Sequence, residues 1–145
     1  MADRNWTLPS GSLDKGLVWV FAVVNVGAAG ATTLQQWNPG SRTYSAAPAA
    51  GFRGVKSVTR TATGLWTVLL QNPYQRVMQV AITPQLAGGL AVCTDVAVNL
   101  TGTNVNSNTA PTLNLALLSA TVTAADPASG EQILLAMSFQ NSTAL

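Results

Sequence analysis

Between positions 54 and 70 the chain reads Gly-Val-Lys-Ser-Val-Thr-Arg-Thr-Ala-Thr-Gly-Leu-Trp-Thr-Val-Leu-Leu, two β-branched and aromatic runs folded back at Ala62-Thr63-Gly64. Such a pattern constrains the fold to antiparallel strands. With period two, Val55, Ser57, Thr59 and Thr61 share one face of the first run, and Lys56, Val58 and Arg60 the other. Similar runs recur over residues 17–26, up to Gln35-Gln36-Trp37, and over 74–83, 90–100, 113–123 and 131–140. In the 90–100 run Val92, Thr94, Val96 and Val98 oppose Ala91, Cys93, Asp95, Ala97 and Asn99. A helix could gather the leucines of 113–118, but the following Thr-Val-Thr and the lack of caps favour a strand. Residues 38–53 and 101–112 read as loops.

About seven strands without a helical crossover give an all-β fold, an antiparallel β-sandwich or partly closed barrel with an extended N-terminal arm. A chain of 145 residues holds one such domain, with the arm over 1–16 and the β domain over 17–145.

The side chains that do acid–base and metal chemistry are scarce: no His, one Cys, and five acids, Asp3, Asp14, Asp95, Asp126 and Glu131. A scaffold or binding surface is therefore expected rather than an enzyme, with no cofactor and no metal. Asp95 with Asp126 or Glu131 is the one carboxylate pair folding could assemble, and nothing in the spacing demands it. Asp126, in Asp-Pro-Ala-Ser-Gly, reads as the cap of its own turn. Ser12, Ser57 and Ser129 have no His to activate them, and Asn104, Asn106 and Asn108 alternate like a calcium loop without its carboxylates. Gly27-Ala-Ala-Gly30 lacks the helix of a dinucleotide site. Cys93 reads as a small buried hydrophobe, with a link to another chain as the alternative; without a disulfide scaffold, folding in a reducing cytoplasm is compatible.

Charged residues make up 8% of the chain, against about 25% in an average domain, and the net charge is +2. Weak repulsion favours association. The apolar run 17–26 is cut by Asn25, Gly27 and Gly30, far short of the roughly 20 residues of a membrane helix, and Asp3 and Asp14 spoil a signal-peptide n-region. It reads as a strand apolar on both faces, one of them against a partner. Trp6 and Leu8 give the arm an apolar hook. Arg42, Arg53, Lys56, Arg60 and Arg76 concentrate five of the seven basic residues within 42–76. They either solvate strand faces or reach carboxylates on a neighbouring protein. No nucleic-acid partner is expected, because the charge density is missing although Trp66 and Tyr74 stand nearby. The expected protein interface comprises Trp6, Leu8, Trp19, Arg42, Arg53, Arg60 and Arg76. Trp6, Trp19, Trp37 or Trp66 could alternatively stack on sugar rings, as in a carbohydrate-binding module.

The hairpin Ser-Val-Thr-Arg-Thr-Ala-Thr-Gly-Leu-Trp-Thr-Val-Leu-Leu (57–70), the Tyr-Gln-Arg-Val-Met that follows (74–78) and the closing Asp-Pro-Ala-Ser-Gly-Glu-Gln-Ile-Leu-Leu-Ala-Met-Ser-Phe-Gln-Asn-Ser (126–142) resemble small virion proteins of tailed bacteriophages, capsid decoration or cement proteins most of all. The resemblance spans roughly residues 50–84 and 124–143. It implies a non-enzymatic β-rich subunit, made in the host cytoplasm and added to the capsid surface of the virion. Its partner would be the major capsid protein, and its state a homo-oligomer, commonly a trimer. A head-fibre or tail-associated anchoring protein is the alternative.

Overall fold

The computed structural model describes residues 16–85 and 92–140. Among these residues nine strands form two antiparallel sheets. They are β1 (Leu17–Val26), β2 (Thr32–Asn38), β3 (Thr43–Ala46), β4 (Val55–Ala62), β5 (Leu65–Leu70), β6 (Arg76–Gln85), β7 (Asp95–Asn104), β8 (Thr112–Leu118) and β9 (Gln132–Gln140). The five-stranded sheet runs β3-β2-β1-β9-β6 and the four-stranded sheet β4-β5-β8-β7. The result is a β-sandwich and not a closed barrel.

Alternation builds the core. Val20, Ala22, Val24 and Val26 of β1 point inward beside Ile133, Leu135, Met137 and Phe139 of β9, and all eight are buried. The opposite sheet supplies Val58, Trp66, Val68, Leu70, Leu113, Leu115 and Leu117. The Trp66 indole N–H lies in this apolar layer without a hydrogen-bond partner, a cost of about 1–3 kcal/mol that the ring's burial must exceed. Gly64 turns the β4–β5 hairpin at φ 66°, and a Cβ there would stand 2.5 Å from the Ala125 amide nitrogen. Only glycine fits both the dihedral and the space.

Several segments depart from the pattern of the sequence. Val55 and Val58 do not lie on opposite faces: a bulge at Lys56 shifts the phase of β4, and both valines are buried. The expected 38–53 loop contains β3, which pairs with β2 across a turn tied by the Asn38 side chain to the Gly40 amide at 3.0 Å. The polar stretch expected to loop over 101–112 continues β7 to Asn104. Its register with β8 breaks after Asn99, and side chains fill the gap. Thr103 Oγ1 donates to the Asn99 carbonyl and accepts from the Asn114 amide, while Asn114 Nδ2 donates to the Thr101 carbonyl. In the 90–100 run, the strand begins at Asp95.

Beyond β8, Val122 occupies the left-handed region at φ 59° while its side chain is 75% exposed. A β-branched residue there costs about 1–2 kcal/mol with no burial to offset it. Glycine would relieve that strain and lose about 0.4–1 kcal/mol through unfolded-state entropy. Val122→Gly is therefore expected to gain about 0.5–1 kcal/mol and raise the melting temperature by about 2–3 °C; an unchanged or lower midpoint would show that the turn is not strained.

Candidate assembly surface

The outward face of the five-stranded sheet follows from the register. Trp19 lies in a row with Ser138 and Gln79, Phe21 with Ala136 and Ala81, and Val23 with Leu134 and Thr83, with Gln35 on the other side of Val23. Trp37 pairs with Tyr44 toward the β3 edge. Trp19 is 48% exposed and Phe21 53%, their rings nearly parallel at 6.1 Å. Trp37 and Tyr44 meet edge to face at 5.1 Å. Met78 is exposed where β6 bulges. Among the described residues, five of the eight exposed large hydrophobic side chains thus belong to this one sheet, whose outer rows hold no charged group short of Arg76 at the edge.

The other sheet differs. Its outer face carries a row of Thr59, Thr67, Asn114 and Asn99. There Thr67 Oγ1 donates to Asn114 Oδ1 at 2.8 Å. Polar groups bonded to one another suit contact with water, whereas a contiguous aromatic and aliphatic face marks a site of association.

The sequence-predicted residues divide. Trp6 and Leu8 lie outside the described residues. Trp19 sits at the centre of the aromatic face. Arg42 is at the tip of the β2–β3 hairpin, and Arg53 lies 5.1 Å over the Phe52 ring in the turn before β4. Arg76 starts the edge strand β6 and lines a groove of about 280 Å³ between β6 and β7. Arg60 is engaged within the chain: its guanidinium grips Asp126, with Nη2 2.7 Å from Oδ2 and Nε 3.0 Å from Oδ1. Asp126 correspondingly does not cap its own turn but accepts from Arg60 and from the Gly64 amide at 2.8 Å, fastening the β4–β5 hairpin to the segment before β9. Trp66 and Tyr74 are buried and cannot stack on a sugar or a base.

Sequence reasoning passed over Phe21, Tyr44 and Met78. The signal for Phe21 was its parity with Trp19 in a run whose other parity is wholly aliphatic.

Burial pushes the Cys93 thiol up to about 11, with the Glu131 and Asp126 carboxylates adding to the effect, and Sγ donates to the Ala125 carbonyl. This is the buried small hydrophobe the sequence suggested, out of reach of another chain. Asp126 does not join Asp95 in an acid–base pair; it is held by Arg60. No cluster of three metal-ligating side chains occurs among the described residues.

The Arg60 hydrogen bonds hold the Asp126 carboxyl below the usual range; partial burial opposes them and the Gly64 amide assists. A carboxyl lowered in the folded state adds stability above its ordinary value of about 3.9, and that stability is lost as pH falls through the folded value. Asp126→Asn is expected to melt below the parent at neutral pH, the gap closing in acid as pH falls below the ordinary carboxyl range and through the folded value. A gap independent of pH would mean that the contact acts through shape alone.

Compared with family models, with curated proteins and with solved structures, the chain matches none.

Proposed function

We propose that the protein is a structural subunit of a tailed-phage particle, a decoration or cement protein that associates through the outer face of its five-stranded sheet. The observation that carries this reading is the uncharged aromatic face of Trp19, Phe21, Trp37 and Tyr44. Leaving it in water costs free energy that an assembly recovers. The partners are the major capsid protein and further copies of the chain, a trimer being favoured because a threefold subunit matches the local symmetry of a shell. Weak contacts repeated over many copies suffice for such a role.

Sedimentation analysis of the purified chain, followed by mixing with empty mature shells of the phage that encodes it, tests the proposal. Saturable, stoichiometric binding is expected. A species that stays monomeric at tens of micromolar and ignores the shells would overturn it, and binding confined to purified tails would shift the reading to an anchoring protein. The nearly parallel Trp19 and Phe21 rings favour a second reading, a carbohydrate-binding module. Fluorescence quenching of Trp19 by oligosaccharides would identify it.

A further inference from the structure

Charge in this sandwich is sorted along the strand axis. At the end where β1 starts, Leu17, Gln140 and Arg76 share a row. The Gln75 amide donates to the Gln140 carbonyl and the Tyr74 amide to the Val105 carbonyl, which brings the finish of β7 to the same end. Position 54 lies against Val20 and the Tyr74 hydroxyl, placing Arg53 and Lys56 there as well. The β2–β3 hairpin points its tip, with Arg42, the same way, and residues 37–46 along it are all exposed. Four cations therefore gather at one end. None has a carboxylate within 4.0 Å among the described residues, where Arg60 and Asp126 form the one ion pair.

The three described carboxylates lie at the opposite end. Asp95 pairs with Leu118 at the finish of β8, Asp126 holds Gly64, and the Glu131 carbonyl accepts from Val26. Head-to-tail stacking of copies does not follow from this polarity. Asp126 is taken by Arg60, and Glu131 is 3% exposed with its carboxylate on the Ala128 amide. Among the described residues only Asp95 remains to meet four cations, so the cationic end is open to an acid from a partner.

We propose that this end docks on a carboxylate-bearing protein surface, with the groove beside Arg76 receiving one acidic side chain. The proposal rests on the reading of the aromatic sheet face as an interface and extends that interface around the end of the sandwich. Two observations favour carboxylates on a protein over phosphates. First, the Arg42 hairpin also carries Trp37 and Tyr44, so charge rims an apolar surface, the anatomy of protein–protein contacts. Nucleic-acid contacts are far more densely basic. Second, the Arg76 groove is lined by Val77, Val98 and Leu100 together with the polar Gln75, Thr103, Asn104 and Asn106. A guanidinium fork beside apolar and carboxamide side chains suits a single planar carboxylate.

The test compares the full chain on three immobilised probes at low salt: poly-L-glutamate, a DNA duplex of equal charge, and phosphatidylserine vesicles. Poly-L-glutamate is expected to bind most tightly, with affinity falling steeply as salt rises. The combined substitution Arg42→Gln, Arg53→Gln, Lys56→Gln and Arg76→Gln should weaken it by about tenfold or more. Arg76→Gln alone, at an exposed position, should weaken it severalfold and guards against misfolding of the fourfold variant. Sedimentation of the same variants, read beside their glutamate binding, tells loss of assembly and loss of anion recognition apart. Equal or tighter binding to the duplex or the vesicles would overturn the proposal. Glutamate binding that survives the substitutions, or no binding to any probe, would do the same.

Discussion

Phe139→Ala is expected to be the most damaging single change in the fold, costing about 3–5 kcal/mol. Phe139 is fully buried in β9, the strand hydrogen-bonded to β1 on one side and β6 on the other. Its ring stacks on Tyr74 with centroids 4.4 Å apart, and Val18 and Val77 flank it in the same row. Truncation removes the transfer free energy of the ring, and the cavity cannot collapse because both neighbouring strands hold β9 in place. Domains of this size have total stabilities of about 5–15 kcal/mol. The variant should therefore melt about 10 °C or more below the parent and lose much of its urea midpoint. A loss below about 1 kcal/mol would show that the site repacks, and that the Tyr74–Phe139 stack is not a keystone of the core.

What could be read from the sequence follows from how local each cause is. The β4–β5 hairpin and the strand nature of 17–26 and of 113–118 depend on neighbours two residues apart, and all appear as expected. The phase of Val55 and Val58 was not legible, because a bulge at Lys56 depends on pairing with Leu69 and Leu70 across the hairpin. The strand character of 101–104 was hidden for a similar reason: Thr101 and Thr103 look like loop residues until Asn114 bonds to both. Arg60 and Asp126 stand 66 positions apart. Each alone resembled a surface group, so one was placed at an interface and the other in a turn. The four tryptophans carry no mark of their own separating a core ring such as Trp66 from a surface ring such as Trp37. That distinction comes from which parity of the strand meets the second sheet. The two-sided apolar character of β1 was legible, and with it the existence of a candidate surface; its extent across β2, β3 and β6 required the strand order.

Trp19→Thr combined with Phe21→Thr is expected to abolish association while leaving the domain folded. Both side chains point away from the core, and threonine keeps the β propensity of β1, so the monomer loses little beyond the ring pair, about 0.5–1.5 kcal/mol. At a desolvated interface, large aromatic anchors contribute about 2 kcal/mol or more each, a factor of about 30 in affinity per residue. The two losses are not additive for neighbours in contact, yet even one such factor moves a micromolar assembly well out of its range. Sedimentation velocity over a concentration series should then show monomer where the parent is expected to show oligomer. Thermal melts at low concentration should nearly coincide. The opposite pattern, a lowered melting temperature with unchanged association, would show that the rings only shield the backbone of β1 and β9 from water. The interface would then lie elsewhere, and the cationic end with Arg42, Arg53, Lys56 and Arg76 would be the remaining surface able to hold the protein to a partner.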